Sequence, residues 1–346
     1  MKKIVILLLV LTLSTGFIMA GGKRQAGEKR LVIGQVFWGL HDSYQHAHQV
    51  QTAIYLKSLG IDYIPMDGQM KPEVQAAAME DLIARKVDGI ICQAYDQPSM
   101  EISIAAAQKA GIPVVSFVNI ASGSVKYPSM EISEEEGAVE MGKFIGRKFN
   151  QHFPGLFPKV LTISDPSVEW AHNQRTLAFL RGLKETCPSM QHIFNGGRSS
   201  REVAYSVMED ILQRDSGVNV IFGYDAENGL GASAALEAAG RGLAANSVPK
   251  TEMIASVDGS TPEILKVVDP RSSYMATLGL RPRQNARACV DLLLDVINGK
   301  VSMYETTKNV RVVSGIINSD MSIQEVEKFL LDEWDQTIDL RKEIGL

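Results

Sequence analysis

Short, unbroken apolar runs alternate with helical segments along most of this chain, and this alternation restricts the possible folds more than any other feature. Residues 31–37, 89–94 and 113–118 are predicted strands, and residues 45–59 and 99–110 are predicted helices. A strand that is apolar on both faces has to be covered on both faces, as in a parallel sheet flanked by helices. The sequence therefore predicts an α/β fold with parallel sheets.

A second, similar series follows the first. Predicted helices at 135–149 and 169–187 enclose a predicted strand at 159–164, and another strand is predicted at 252–257. Two series of comparable length indicate two similar lobes. A further predicted strand at 309–313 indicates that the chain crosses back between the lobes.

The tail, residues 323–346, is amphipathic, because Val326, Phe329, Leu330 and Trp334 recur at helical spacing. A tail of this kind most often packs on its own domain. Contact with a second copy of the chain is the alternative.

The N-terminal segment predicts export. Two lysines precede an apolar run over residues 4–13, which is too short to span a bilayer comfortably, and the small residue Ala20 ends the segment. We expect a signal peptide over residues 1–20, a linker over 21–30, and a mature protein in the periplasm or otherwise outside the cytoplasm. The interrupted apolar run disfavours the alternative, an uncleaved anchor.

The composition is that of an ordinary globular protein. The chain has 346 residues, of which 45% are apolar, and a net charge of −5 without clusters of Lys or Arg. Nucleic acid and anionic membrane surfaces are therefore poor candidates for partners. Three cysteines give no disulfide framework, and buried thiols are expected. A bridge between Cys92 and Cys289 remains the alternative.

Common catalytic and nucleotide-binding motifs are missing from the sequence, which has no Gly-x-Gly-x-x-Gly, Walker or Gly-x-Ser-x-Gly pattern. His46 and His48 lie two positions apart and so face different sides of a helix; we interpret them as solvated rather than as metal ligands. The acidic run 134–136 lies at a predicted helix N-terminus, where the helix dipole favours negative charge, and is interpreted as structural. We predict no cofactor, no metal and no enzymatic activity.

The turn after the first strand, residues 36–45, combines aromatic and polar side chains. In an open α/β sheet, ligands bind at the carboxyl ends of the strands. Trp38 and Tyr44 offer flat apolar faces, while Asp42 and Gln45 offer hydrogen-bonding groups. This combination favours a small polar ligand such as a sugar or a polyol. For Trp38, packing in the core at the strand end is the alternative.

Several short pieces of sequence occur in a characteristic order between residues 31 and 319. They are Leu59-Gly60, Val87-Asp88-Gly89, Ala110-Gly111-Ile112-Pro113, Arg175 with Phe179-Leu180-Arg181-Gly182-Leu183, Phe222 to Gly231, and Val257-Asp258-Gly259. In this order they make the chain resemble a type I periplasmic solute-binding protein of the ribose- and galactose-binding group.

The resemblance implies two Rossmann-like lobes joined by a three-crossover hinge. The N-terminal lobe would take residues 31–132 and 281–309, and the C-terminal lobe would take 133–280 and 310–322, before the tail. Such lobes close on a ligand because its contacts to both of them favour the closed state.

The resemblance also implies ligand-binding residues. The matching positions are Asp42, Tyr44 and Gln45 in the first turn, and Arg175, Asp225 and Asp258 in the second lobe. An arginine fork and carboxylates suit a hydroxyl-rich ligand. Surface pairing of the arginine and helix capping by the two second-lobe aspartates are the alternatives.

The chain departs from the ribose-binding pattern at several of these positions. Where ribose binders have Asp-Arg after a strand, this chain has Val118-Asn119, and a glutamine position falls on Leu280, beside Arg281. Trp38 stands where a small hydroxyl residue is common. We count Trp38, Asn119 and Arg281 among the candidate ligand-binding residues and expect a ligand other than ribose.

The expected function is that of a monomeric binding protein that captures a monosaccharide, a polyol or a related small molecule and delivers it to the membrane permease of an ABC transporter. The alternative is a sensory protein that presents its closed form to a membrane chemoreceptor or sensor kinase. A DNA-binding regulator shares this fold but needs an N-terminal DNA-binding module where this chain has a predicted signal peptide.

Overall fold

A computed structural model describes residues 30–346 apart from 42, 119–122, 198 and 307–308. The predicted signal peptide and most of the predicted linker lie outside the described residues. The strands are β1 (Val32–Phe37), β2 (Asp62–Asp67), β3 (Gly89–Cys92), β4 (Val114–Phe117), β5 (Ser129–Ser133), β6 (Lys159–Ser164), β7 (Gln191–Gly196), β8 (Val220–Gly223), β9 (Ala244–Ala245), β10 (Val248–Pro249), β11 (Met253–Asp258), β12 (Tyr274–Gly279), β13 (Asn309–Val313) and β14 (Gly315–Asn318).

The helices alternate with these strands. They are α1 (Ser43–Ser58), α2 (Pro72–Ala84), α3 (Gln97–Lys109), α4 (Glu135–His152), α5 (Glu169–Ala171), α6 (Ala178–Thr186), α7 (Arg201–Arg214), α8 (Ala226–Ala238), α9 (Thr261–Val268), α10 (Pro282–Ile297), α11 (Ile323–Trp334) and α12 (Leu340–Glu343). A π-helical segment, His172–Leu177, joins α5 to α6.

Two mainly parallel sheets organise the molecule, each with six strands among the described residues. The first has the order β13-β5-β4-β3-β1-β2, with parallel neighbours throughout. The second has the order β14-β12-β11-β8-β6-β7, and its edge strand β14 runs antiparallel to β12. We call each sheet with its flanking helices a lobe. The predicted α/β class with parallel sheets in two lobes is confirmed.

The chain passes between the lobes three times within the described residues. It leaves the first sheet after β5, returns after β12 to enter α10, and leaves again between β13 and β14. The last passage differs from the expected change of lobe after residue 309. Strand β13 pairs with β5 as far as Val313, so the change of sheet falls at Ser314.

Side-chain caps fix the starts of several helices near the carboxyl ends of strands. Asp96 caps α3 by accepting from Ser99 N, and Asp225 caps α8 by accepting from Asn228 N. Caps of this kind satisfy N–H groups that have no partner inside the helix. They also place carboxylates at the edge of the sheets where the lobes meet.

Apolar side chains cover both faces of each sheet. One core cluster extends through both lobes, and two further clusters lie on the other face of the first and of the second sheet. Cys92, Cys187 and Cys289 are buried and form no disulfide.

His48 lies in this core, and its interpretation as solvated is wrong. Its ring is fully buried and stacks on Phe117 with 4.2 Å between centroids, whereas His46 is exposed. Burial lowers the pKa of His48 to about 3. No group of three or more His, Cys, Asp or Glu side chains in the described part of the chain is arranged to hold a metal ion.

The tail packs on its own chain. Val326, Leu330, Trp334 and Leu340 are buried, and helix α11 ends at Asp335, which has a left-handed backbone (φ 57°). The tail predicted at helical spacing over residues 323–346 therefore forms two helices with a break between them. Across the described residues, no helix is both long and apolar enough to cross a membrane.

Candidate functional site

A cavity of about 590 Å³ lies where the carboxyl ends of strands from both sheets approach each other. This edge is where ligands bind in open α/β sheets. The lining residues are Trp38, Ser43, Tyr44, Gln45, Met70, Pro72, Gln93, Ala94, Tyr95, Asp96, Val118 and Ile132 from the first lobe, Leu280 from a crossing, and Glu134, Asp165, Ser167, Val168, Trp170, Ala171, Arg175, Ser199, Tyr224, Asp225, Ala226, Glu227 and Asp258 from the second lobe.

Aromatic rings form part of the first-lobe wall. Trp38 follows β1 and Tyr95 follows β3, and their rings stack with 6.3 Å between centroids and 11° between planes. His41 meets the Trp38 ring edge-on at 5.0 Å. Tyr95 remains 49% exposed. These flat faces can cover the C–H surface of a small ring or chain.

A buried glutamine holds the two loops that carry these rings. Gln75 on α2 donates from Nε2 to the carbonyl oxygens of Phe37 (3.0 Å) and Gln93 (2.7 Å), and its Oε1 accepts from Tyr95 N (2.8 Å). Its side chain is almost fully buried. Gln75 therefore fixes the spacing between the turn after β1 and the turn after β3.

Arg175 and Glu134 form the charged centre of the second-lobe wall. Arg175 lies in the π-helical segment, and its Nε and Nη2 donate to the two carboxylate oxygens of Glu134, at 2.5 and 3.0 Å. Its Nη1 donates to Tyr224 O at 3.0 Å and lies 3.6 Å from Asp258 Oδ1. Burial acts to lower the pKa of Arg175, but Glu134 and Asp258 outweigh it and raise the pKa above its ordinary value. The guanidinium is therefore permanently charged and already paired within the protein.

Asp225 and Asp258 are bound to the backbone at the start of α8. Asp258 Oδ2 accepts from Ala226 N at 3.0 Å, and Asp225 Oδ1 accepts from Asn228 N at 2.8 Å and from Asn228 Nδ2 at 2.7 Å. Burial raises the pKa of Asp225 against these hydrogen bonds. Both aspartates cap the helix and also line the cavity.

Trp170 completes the second-lobe wall. The Arg175 guanidinium lies over its ring, with Cζ 5.9 Å from the centroid. Its indole Nε1 is buried and has no hydrogen-bond partner among the described residues.

Residues 37–301 match the family described as the periplasmic binding protein domain. The chain belongs to the periplasmic binding protein family. Membership implies that the protein acts outside the cytoplasm, and this family is one of non-catalytic binding proteins.

Two curated proteins are distant relatives of this periplasmic binding protein. The ABC transporter periplasmic-binding protein YphF of Escherichia coli (strain K12) is 27% identical over 218 residues, which are 60% of this chain and 64% of YphF. The ribose import binding protein RbsB of Bacillus subtilis (strain 168) is 22% identical over 244 residues, which are 70% of this chain and 74% of RbsB. The matched region thus spans less than two thirds of YphF.

Solved structures show the same fold. A solute-binding protein from Actinobacillus succinogenes 130z with bound D-allose has a TM-score of 0.72 at 20% identity, covering 84% of this chain and 98% of its own. The binding protein of the arabinose ABC transporter from Shewanella sp. ANA-3 has a TM-score of 0.73 at 22% identity, covering 86% and 95%. At such identities the likeness establishes the two-lobed fold of a type I periplasmic binding protein.

The structure of this periplasmic binding protein brings six of the nine expected site residues to the cavity: Trp38, Tyr44, Gln45, Arg175, Asp225 and Asp258. Tyr44 is only 5% exposed, and its hydroxyl accepts from Asn285 Nδ2 at 2.6 Å. Asp42 and Asn119 lie outside the described residues.

Arg281 differs from its expected place. Its Nη1 donates to Glu333 Oε1 at 3.2 Å and its Nε to Val313 O at 3.1 Å, so it ties the crossing before α10 to the tail and to β13. It is not among the lining residues, whereas its neighbour Leu280 is.

Four important lining residues escaped the sequence analysis: Glu134, Gln93, Tyr95 and Trp170. Glu134 was interpreted only as a favourable charge at a helix N-terminus, yet it is fully buried against Arg175. The position of Tyr95, directly after a buried strand, follows the same rule that singled out Trp38 and could have indicated it.

Proposed function

We propose that this protein captures a monosaccharide, a polyol or a related small polar ligand between its lobes and delivers it to the permease of an ABC transporter. The observation that carries the proposal is the convergence on one cavity of aromatic faces from the first lobe and buried carboxylates from the second. Aromatic faces cover C–H groups, and carboxylates accept hydrogen bonds from hydroxyls.

The relatives support this ligand class. Structural neighbours include binding proteins described with bound D-allose, allitol and myo-inositol. Among the relatives, YphF is described as an ABC transporter periplasmic-binding protein and RbsB as a ribose import binding protein. The three passages of chain between the lobes provide a hinge, and a ligand that touches both walls would stabilise the closed form.

Within this proposal the contact residues are Trp38, Tyr95 and Gln45 on the first lobe and Asp225 and Asp258 on the second. Arg175 acts with Glu134 as a fixed charged pair in the wall. Asp42 and Asn119 remain candidates by resemblance.

A thermal-shift screen over pentoses, hexoses, polyols and nucleosides tests the function. A ligand present at 100 times its Kd stabilises the folded state by about 2.7 kcal/mol, which raises the melting temperature by several degrees. The proposal fails if no sugar or polyol raises the melting temperature.

A substitution then places the binding site. Trp38→Ala should weaken binding of the best ligand by a few-fold to about tenfold, because an aromatic face contributes about 0.5–1.5 kcal/mol beyond the area that it buries. Phe157→Ala is the matched control, since Phe157 is an aromatic residue that is 66% exposed and absent from the cavity lining. Equal affinity for the Trp38 variant and the control would remove Trp38 from the site.

We also propose that export uses a signal peptide cleaved after Ala20, on the basis of the two lysines and the apolar run at 4–13. The intact mass of the exported protein tests the cleavage position.

A further inference from the structure

Asp258 lines the cavity from a strained turn at the end of β11. Its φ is 120°, a value that residues with a side chain rarely adopt, and the following Gly259 has a φ of 68°. A Cβ atom on Gly259 would lie 2.6 Å from the Cα atom of Gly279. Strained backbone of this kind persists only where the surrounding structure holds it. The contacts that hold this turn therefore decide where the Asp258 carboxylate lies.

A buried carboxylate beneath the turn provides such contacts. Glu263 on α9 is fully buried, and its Oε2 accepts from Ser260 N and from Ser260 Oγ, both at 2.8 Å. Its Oε1 accepts from Thr277 Oγ1 at 2.8 Å and from Ser256 Oγ. Thr277 Oγ1 in turn accepts from Gly259 N at 3.1 Å. The Glu263 side chain thus joins β11, β12 and the turn that leads into α9.

Helix capping accounts for part of this network. The pattern Ser-x-x-Glu forms a capping box at α9, with Ser260 and Glu263, and also at α11, with Ser322 and Glu325. Glu325 is exposed, and its Oε2 accepts from Ser322 N at 2.8 Å and from Ser322 Oγ at 2.7 Å. Glu263 makes the same two bonds with Oε2, but its Oε1 also bonds hydroxyls on two strands. A capping box needs one carboxylate oxygen, so the bonds of Oε1 serve the turn and the sheet.

We propose that Glu263 and Thr277 are positioning residues for ligand binding, which act through the turn after β11 on the Asp258 carboxylate. Neither is among the lining residues that the structure describes. Together they hold the Gly259 N–H, which directly follows Asp258 in the chain. Without the Thr277 hydroxyl this buried N–H loses its acceptor, and the strained turn relaxes. The inference rests on the proposed function and deepens it, because it names residues behind the cavity wall that set the affinity.

Two substitutions of Thr277 separate positioning from stability. Thr277→Val keeps the methyl group and loses the hydroxyl, so both Gly259 N and Glu263 Oε1 lose a partner. It should weaken sugar or polyol binding by about tenfold, because Asp258 is no longer held in place. Thr277→Ser keeps the hydroxyl and loses a buried methyl group, which lowers stability. It should restore binding to within about threefold of the wild-type affinity.

Calorimetric titration measures the affinity, and urea denaturation of the same proteins measures the stability. The probes are the pentoses, hexoses and polyols of the thermal-shift screen, D-xylose, D-galactose and sorbitol among them. Each variant is compared on the probe that binds the wild type most tightly. Burial raises the pKa of Glu263 to about 7, although its hydrogen bonds act to lower it. The titrations are therefore run at pH 8, where most of this carboxyl is ionised.

Thr162→Val is the matched control. Thr162 is a fully buried threonine on β6 of the same lobe, and its Oγ1 lies 2.8 Å from His192 Nε2. Like Thr277, it is not among the described lining residues. Loss of its hydroxyl should lower the stability and leave the affinity unchanged.

A second pair of variants serves if Thr277→Val does not fold. Glu263→Gln keeps the size of the side chain and replaces one acceptor oxygen by a donor, so it should also weaken binding. Glu325→Gln makes the same change in the other capping box and should leave the affinity unchanged.

The outcomes are distinct. Wild-type affinity in folded Thr277→Val, or in Glu263→Gln where that variant replaces it, overturns the inference and leaves the proposed function standing. An equal loss of affinity in Thr277→Val and Thr277→Ser also overturns it, because binding would then follow stability and not the hydroxyl. If no sugar or polyol binds the wild type, both the proposed function and this inference are overturned.

Discussion

At the residue scale, His48 shows how packing sets the charge of a side chain. Its ring lies fully buried between aromatic neighbours, stacked on Phe117, and its Nδ1 lies 3.3 Å from Gln35 Nε2. Burial lowers the pKa of His48 to about 3, below the ordinary 6.5. The folded protein therefore holds His48 neutral at pH values where the unfolded chain protonates it.

This difference predicts a pH-dependent loss of stability. Between about pH 6.5 and pH 3 the unfolded state binds the proton and the folded state does not, so stability falls as pH falls, by up to about 1.4 kcal/mol per pH unit. Chemical denaturation measures the free energy of unfolding of the wild type and of His48→Gln. The wild-type value minus the variant value should fall by about 2 kcal/mol from pH 7.5 to pH 5.

His46→Gln is the matched control, since His46 is exposed two residues away on the same helix. Its free energy of unfolding should run parallel to that of the wild type over this pH range. Parallel curves for the His48 variant as well would show that His48 is not held neutral by the fold.

At the element scale, helices α4 and α6 approach each other closely in the second lobe. A Cβ atom on Gly142 would overlap the Phe179 carbonyl oxygen and lie 2.7 Å from Leu183 N, and a Cβ atom on Gly182 would overlap the Val139 carbonyl oxygen. These obstacles are backbone atoms, which cannot rotate away. The approach of α4 matters for the site, because Glu134 directly precedes α4 and Arg175 lies in the segment that leads into α6.

Gly142→Ala should therefore destabilise the protein by about 1–3 kcal/mol. The higher helix propensity of alanine offsets this by about 1 kcal/mol at most, so the overlap decides the sign. Urea denaturation measures the effect. Gly196→Ala is the control, because a Cβ there has no neighbour within 4 Å among the described residues, and it should change stability by less than about 0.5 kcal/mol. A Gly142 variant as stable as the control would contradict close packing of the two helices.

The alternating elements could be predicted because their apolar runs are local features. Strand β7 could not, since it is an edge strand whose exposed residues, among them Gln191 and His192, give no apolar run. The charged centre could not be predicted either. Glu134 and Arg175 are 41 residues apart and meet only through the packing of α4 on α6, which no local pattern records. Trp38 could be placed at the cavity because it follows a recognisable strand, whereas Asp258 was indicated only by the resemblance.

At the scale of the whole molecule, the tail contacts both lobes next to the segments in which the chain passes from one lobe to the other. Glu333 accepts from Arg281 Nη1 at 3.2 Å and from Gln284 Nε2 at 2.6 Å, both at the start of α10. On the other side, Gln336 bonds Thr261 of α9 in the second lobe. Because the apolar side of α11 is buried in its own chain, we propose that the protein is a monomer and that the tail stabilises the region around the crossings.

Two residues of α11 that lie three positions apart, one buried and one exposed, test this role of the tail. Trp334 is 6% exposed and packs edge-on against Tyr44 at 6.5 Å, whereas Leu331 is 47% exposed. Trp334→Ala should lower the free energy of unfolding by about 3–5 kcal/mol because it leaves a cavity in the shared core, and Leu331→Ala should change it by less than about 0.5 kcal/mol. Sedimentation velocity should give a monomer for the wild type and for Leu331→Ala. A wild-type dimer that Leu331→Ala dissociates would instead make the exposed side of α11 an interface between two copies of the chain. That result would contradict the proposal that the protein is a monomer.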